Sequence, residues 1–218
     1  MSEEKKSITD IIRDEIMRRP FVKECMSLGI INYSALARLL IEELSLNSST
    51  PAIKMALIRL SEELKREKSF LEGRVRDVIG DSIIELQSDV SVITISKERI
   101  AKVMKNIPGI MSESRFFQLT QGRETFTIVI ASEDEEKVLD LAKEAVSILR
   151  DQTAVTIISP EEIIETPGVV AFMTSALSSN GINITQVISC YKDTIFVINR
   201  KNAPKAYQIL EELIRRMR

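Results

Sequence analysis

The spacing of apolar residues changes near Gly80, and this change constrains the fold more than any other feature of the sequence. Before Gly80 apolar side chains recur with a period of about 3.6 residues, and after it they alternate with a period of about 2. The chain has 218 residues, of which 44% are apolar and 28% charged, so it can form one large domain or several small ones. We therefore predict an α+β protein with an all-helical N-terminal domain over residues 1–80.

Two segments beyond Gly80 repeat one another. Residues 95–100 (ISKERI) match residues 158–163 (ISPEEI), and residues 128–130 (IVI) match residues 196–198 (FVI). Each copy predicts the order βαββα. In the first copy the last helix is a long amphipathic one over 133–149, and a further strand is expected over 154–158. We therefore expect two similar modules, residues 81–153 and 154–218, and only the second contains the loop 165–169 (ETPGV).

The N-terminal domain predicts several short helices. Thr9 or Asp10 is expected to cap the first helix, and Asn32 is expected to cap a later one. Thr50-Pro51 then predicts the start of a third helix. One face of that helix is apolar and comprises Ile53, Leu57, Leu60 and Leu64. A separate stripe without acids comprises Lys54, Ile58, Ser61, Lys65 and Lys68.

A helix, a turn and a basic-striped helix follow the order of a helix-turn-helix, so we predict that this stripe contacts duplex DNA. Lys54, Lys65 and Lys68 would contact phosphates, while Ile58 and Ser61 would lie nearest the bases. Such a stripe is also typical of an ordinary solvated helix face. Basic and acidic residues nearly balance over residues 1–80, so a protein-docking domain remains an alternative.

Composition excludes several function classes. The sequence has no histidine, which excludes histidine-dependent hydrolysis and histidine-ligated zinc. We expect no catalytic residues, no metal, no cofactor and no enzymatic activity. Cys25 and Cys190 are expected to be reduced thiols, and no apolar run is long enough to cross a membrane. These features, with no signal peptide, predict a cytoplasmic protein without a membrane partner.

The loop Thr166-Pro167-Gly168 is the strongest candidate for a binding site. Pro167 fixes the backbone before a helix, Gly168 allows close approach, and the first backbone amides of the helix face outward at its positive end. We expect a small anion there, most simply a carboxylate. Asn183 and Thr185 follow the turn at Gly181, in a strand expected beside the helix start, where they can contact an ammonium or other polar group. Together these features predict an amino-acid ligand.

Residues 163–172 (IIETPGVVAF) and 180–184 (NGINI) resemble the ACT domain, the module by which many proteins of amino-acid metabolism sense amino acids. The resemblance is closest to the tandem ACT pair of aspartate kinases. With residues 31–38 (INYSALAR), the whole chain is similar to archaeal predicted regulators of amino-acid metabolism. The resemblance implies two ferredoxin-like βαββαβ modules, of which the first is degenerate, because its loop over 97–106 has no glycine.

The resemblance also implies a set of effector-binding residues and a function. The effector-binding residues are Ile163, Gly168, Val170, Asn183, Ile184 and Thr185. The implied function is an amino-acid-responsive transcriptional regulator that forms a homodimer or higher oligomer through its ACT modules. The alternative is a non-catalytic regulatory subunit that docks onto an amino-acid biosynthetic enzyme.

Overall fold

The computed structural model describes residues 7–218. The chain divides into two compact units, Met1–Arg74 and Val75–Arg218. The described part of the first unit is helical. Its helices are α1 (Ile8–Met17), α2 (Pro20–Ser27), α3 (Tyr33–Leu44) and the start of α4 (Thr50–Gly80), which ends in the second unit. None of the helices within residues 7–218 has the length and apolar character needed to cross a lipid bilayer.

Local sequence signals explain where these helices begin. Ser7, not Thr9 or Asp10, caps α1: its Oγ accepts from the Asp10 backbone amide at 3.2 Å, and the Asp10 carboxylate accepts in return from Ser7. Pro20 begins α2 instead of kinking α1. The expected cap at Asn32 is confirmed, because its Oδ1 accepts from the amides of Ser34 and Ala35.

The apolar face expected on the third helix is confirmed and forms part of the core of the first unit. Ile53 and Leu57 are fully buried, and Leu60 and Leu64 are nearly so. They pack with apolar residues of the three preceding helices. These are Ile12, Ile16, Met26, Leu36, Ala37 and Leu40. Amphipathic helices of this kind are stabilised by packing a single apolar face.

The second unit contains a strand–helix–strand–strand–helix order twice. The first half comprises β1 (Ile83–Ser96), α5 (Ile100–Glu113), β2 (Phe117–Gln121), β3 (Thr125–Ala131) and α6 (Glu135–Ala142). The second half comprises β4 (Ser147–Ile158), α7 (Val169–Ser179), β5 (Ile184–Cys190), β6 (Asp193–Asn199) and α8 (Ala203–Met217). The α+β class is therefore confirmed.

The six strands form one antiparallel sheet in the order β2-β3-β1-β4-β6-β5, and the two halves meet at β1 and β4. Each of these two strands serves both halves. Residues 90–96 of β1 pair with β3, whereas residues 83–87 pair with the end of β4, which itself pairs with β6. Each half therefore completes its sheet with part of a strand from the other half.

Helices cover one face of the sheet, and the sheet curls so that its other face is also buried. Val90, Val92, Val129, Ala154, Ile188, Ile195 and Val197 form an apolar cluster on that inner face. The curl brings the outermost strands together: the Cys190 thiol of β5 lies 3.8 Å from Oε1 of Gln118 in β2. Both faces of the sheet therefore contain buried apolar residues.

Two sequence expectations in this unit are wrong. The helix expected over 133–149 ends at Ala142, where Lys143 adopts a left-handed φ of 63°, and residues 147–149 belong to β4. The sequence pattern also predicts a helix over 97–107, whereas α5 begins at Ile100 and extends to Glu113, with Pro108 in its interior. Helical and strand periods are hard to separate where apolar residues are continuous, as they are near residue 148.

Candidate effector site

The end of β4 and the start of α7 form a corner that comprises residues 159–170, which we call the α7 corner. Ser159 is buried, and its amide donates to the Lys192 carbonyl at 3.0 Å. A short 3₁₀ turn, Glu161–Glu165, follows. The Thr166 side chain, only 4% exposed, donates to the Glu162 carbonyl at 2.7 Å and so fixes the chain just before the helix.

Gly168 is the N-cap of α7 and has a left-handed φ of 98°. Side chains are disfavoured in this conformation, which explains why glycine occupies the position. Gly168 is exposed, and as a glycine it has no side chain that could cap the first turn of α7. The first amides of an α-helix have no partner within the helix, so this end of α7 can donate to an anion.

The structure separates the six predicted effector residues into two groups. Ile163, Gly168 and Val170 lie at the α7 corner, where Ile163 and Val170 are half-buried. Asn183, Ile184 and Thr185 follow the other end of α7. A helix of 11 residues separates the groups, which corresponds to about 16 Å. The expectation that Asn183 and Thr185 lie beside the start of the helix within one chain is therefore wrong.

The Thr185 side chain is hydrogen-bonded within its own chain. Its hydroxyl donates to Oε1 of Gln152, a buried side chain of β4, at 2.9 Å. A bulge in the pairing of β5 and β6 lies at this position, between Ile184 and Gln186. Asn183, in contrast, is exposed.

Sequence reasoning missed two contacts around the α7 corner. The Tyr191 hydroxyl hydrogen-bonds to Glu161, which raises the pKa of Tyr191 because the carboxylate favours the neutral phenol. Val75, near the end of α4, lies 3.7 Å from the position that a Cβ on Gly168 would occupy. Both contacts join residues far apart in sequence, so no local pattern could have indicated them.

A second feature is a polar cavity of about 350 Å³ in the first half. It is lined by Asp89, Ser91, Ser132, Glu135, Glu136, Arg150 and Asp151. Glu135 is 5% exposed; it accepts from Ser91 Oγ at 2.6 Å and from Arg150 Nε at 2.8 Å. This interaction raises the pKa of Arg150.

By strand register Thr153 corresponds to Ser91, and by the offset between residues 128–130 and 196–198 Ala203 corresponds to Glu135. Ser91 pairs with Ile130, and Thr153 pairs with Ile198 at the equivalent register. Thr153 Oγ1 is buried without a hydrogen-bond partner. The equivalent region of the second half therefore folds without the buried ion pair.

The residues predicted to contact DNA do not form one exposed stripe. Lys65 is exposed, and Lys54 and Ile58 are half-buried. Lys68 pairs with Glu24 and, at 3.8 Å, with Glu72. Ser61 is 7% exposed; its hydroxyl bonds to the Tyr33 hydroxyl at 2.6 Å and donates to the Met26 carbonyl at 2.9 Å. The expectation that Ser61 lies on a base-contacting surface is therefore wrong, because it is a buried link between helices.

The sequence predicts no metal site anywhere in the chain, and the structure describes residues 7–218. Within that part, no group of three or more cysteine and carboxylate side chains is arranged to hold a metal ion.

Residues 147–212 match the family model of the ACT domain, and this range begins at the first residue of β4. The α7 corner lies entirely inside the matched range. An ACT domain in the second half is thus supported, whereas the match does not extend to the first half or to the helical unit.

Solved structures share this fold. The aspartate kinase of Clostridium acetobutylicum is 17% identical, with a TM-score of 0.51 over 60% of this chain and 34% of that chain. The regulatory subunit of aspartate kinase from Thermus flavus is 18% identical, with a TM-score of 0.50 over 60% of this chain and 95% of that chain. The chain thus spans about a third of the length of the first relative. No curated protein sequence matches the chain.

Proposed function

We propose that this protein is an amino-acid-responsive regulator whose effector binds at the α7 corner. The effector carboxylate would accept from the backbone amides of Gly168–Val170, at the positive end of α7. The observation that carries this proposal is the start of α7, where the N-cap is Gly168, a residue with no side chain to cap the first turn, within the ACT match.

The second group of predicted residues would complete the site from another copy of the chain. Asn183, Ile184 and Thr185 lie at the far end of α7, so they reach a carboxylate-bound effector only from a second copy of the chain. Residues 81–153 would be a degenerate ACT-like module without an effector loop of its own. Edge-to-edge pairing of two sheets would produce a homodimer or a higher homo-oligomer.

Calorimetry of the full chain against the common amino acids tests the site. Asparagine and aspartate both tolerate the left-handed backbone at position 168, and they differ by one charge. Gly168→Asp is expected to abolish binding because its carboxylate competes with that of the effector, whereas Gly168→Asn should retain it within about tenfold. Equal binding by the two variants would place the anion site elsewhere.

We further propose that the helical domain, residues 1–80, binds duplex DNA and that the regulation is transcriptional. Lys54 and Lys65 would contact phosphates, Ile58 would lie nearest the bases, and Lys68 would contribute after exchanging its carboxylate partners for phosphate. No ion pair engages Lys54 or Lys65 within the described residues, so both charges are available. Effector binding would change DNA affinity by favouring one arrangement of the dimer, typically by about 5- to 150-fold.

The salt dependence of DNA binding tests this assignment. Affinity should fall steeply between about 50 and 200 mM salt, because phosphate contacts release counterions. The double variant Lys54→Ala/Lys65→Ala should flatten that dependence. Arg59 and Arg66 are exposed cations on the same helix, on a face about 120–140° away. Arg59→Ala/Arg66→Ala removes the same charge and should leave the salt dependence nearly unchanged.

A second candidate is a non-catalytic regulatory subunit that docks onto an amino-acid biosynthetic enzyme. The burial of Ser61 and the ion pairs of Lys68 favour it, because they interrupt the basic stripe. The fold shared with the Thermus flavus regulatory subunit, over 95% of that chain, also favours it. Salt-independent weak DNA binding, together with co-purification of an enzyme, would select this candidate over the transcriptional one.

A further inference from the structure

The last turns of α4 pack directly on the α7 corner. Val75 is 9% exposed, and its Cγ2 lies 3.7 Å from the position of a Cβ on Gly168. Val75 also belongs to the same apolar cluster as Val169 and Met173, in the first two turns of α7. A group bound at the amide of Gly168 therefore lies close to the Val75 side chain.

A buried polar link joins the same two elements. Ser82, two residues after α4, donates to the Val78 carbonyl at 2.7 Å and to Ser159 Oγ at 2.9 Å. Both serines are buried, at 0% and 3% exposed. Ser159 is the first residue of the α7 corner, so the C-terminal end of α4 contacts that corner at two places, Gly168 through Val75 and Ser159 through Ser82.

Val75 and Ser82, the residues that α4 and its end contribute to these contacts, lie outside the matched ACT domain. Residues 75–82 precede the range 147–212, so the domain match alone does not account for them. The helix that supplies them extends back to Thr50 and includes Lys54 and Lys65. Packed side chains are shifted when a ligand occupies adjacent space, because protein interiors hold few voids.

We propose that Val75 forms one wall of the effector site and transmits effector binding to α4. This inference rests on the proposed function of the α7 corner. Val75 would contact the effector beside Gly168, limit its size, and change the packing of α4 when the site is filled. Val75 acts here as a positioning residue, since the backbone amides hold the carboxylate.

Two buried valines on one helix supply the test and its control. Val75→Ala removes the proposed wall, whereas Val78→Ala makes the same truncation in the same cluster, without a contact to Gly168. Calorimetry of the full chains against the common amino acids measures affinity. Hydrogen exchange of α4 amides, with and without the best-bound amino acid, measures transmission.

We expect Val75→Ala to change the affinity for that amino acid by about tenfold, and Val78→Ala by less than about twofold. The amino acid should change the hydrogen-exchange rates of α4 amides in the wild type and in Val78→Ala. In Val75→Ala it should not change them. If Val75→Ala fails to fold, Val75→Thr retains the volume, places a hydroxyl beside Gly168 and should also change the affinity.

The outcomes separate this inference from the function beneath it. If the wild type binds an amino acid, and the Val75 and Val78 variants bind it equally with the same exchange response, Val75 is not a wall and the effector site stands. If the wild type binds none of the amino acids, the effector site falls and the role of Val75 falls with it.

Discussion

Ser61 shows how one buried hydroxyl changes the interpretation of a helix surface. On a helical projection it lies on the stripe of Lys54 and Lys65, but its small side chain turns toward the Tyr33 hydroxyl and the Met26 carbonyl. Serine is short enough to be buried wherever a partner is present, so helical spacing alone could not place it. The four apolar positions of α4 were predictable because their burial follows from spacing and hydrophobicity alone.

Ser61→Ala is expected to destabilise the first unit by about 1–2 kcal/mol, because the Tyr33 hydroxyl loses its partner in a part-buried setting. Ser69→Ala, at an exposed position of the same helix, is the control and should change stability by less than about 0.5 kcal/mol. Denaturant unfolding followed by circular dichroism measures both. Equal stabilities of the two variants would contradict the structural role of Ser61.

At the scale of elements, the bulge in β1 shows a limit of strand prediction. The pairing of β1 with β4 shifts between Gln87 and Val90, and Asp89 adopts a φ of 56°. Arg115 holds this bulge: its Nη2 donates to the carbonyls of Ser88 and Asp89 at 3.1 and 3.2 Å, while its Nε donates to Glu133 at 2.7 Å. Alternation predicted a strand here, but the bulge depends on an arginine 26 residues away.

Arg115→Lys is expected to lower the thermal unfolding midpoint by a few degrees, because one ammonium group cannot replace a guanidinium that bridges three acceptors. Arg123→Lys is the control, since the Arg123 side chain is 93% exposed and, among residues 7–218, its ion pair is with its neighbour Glu124. Hydrogen exchange at residues 88–90 should accelerate in Arg115→Lys alone.

The effect should also depend on pH. Arg115 lowers the pKa of Glu133, so the stabilisation is present above the ordinary glutamate pKa and is lost as the pH falls through the lowered value. The difference between the wild type and Arg115→Lys should therefore shrink in acid. A difference that is constant from neutral to acidic pH would show that the Glu133 contact contributes nothing.

At the scale of the whole molecule, the repeat was predictable and the strand sharing was not. Offsets between short apolar motifs gave the repeated order of elements in the second unit. Pairing of β1 with β4 joins residues about 75 apart, such as Ile83 and Ile158, and a repeat of local patterns contains no signal for that contact. For the same reason Val75 could not be placed at the α7 corner.

Strand sharing predicts how fragments behave. Residues 147–218 include the ACT match, but they lack the β1 partner of β4 and the buried Val75, Val78 and Ile79. We expect this fragment to be unfolded or self-associated, whereas residues 75–218 should unfold cooperatively as a monomer or a defined oligomer. Circular dichroism and light scattering compare the two, and a stable, monomeric 147–218 fragment would contradict the interdependence of the halves.

The borrowed strand segments also bear on how such a chain can change over evolutionary time. Substitutions can remove a glycine loop from the first half while β1 is retained, because β1 is the strand that pairs with β4. Deletion of the first half would instead destabilise the second half, because β4 would lose its β1 partner. A half without a glycine loop of the Gly168 type would thus still be retained, because β4 needs β1 as its pairing strand.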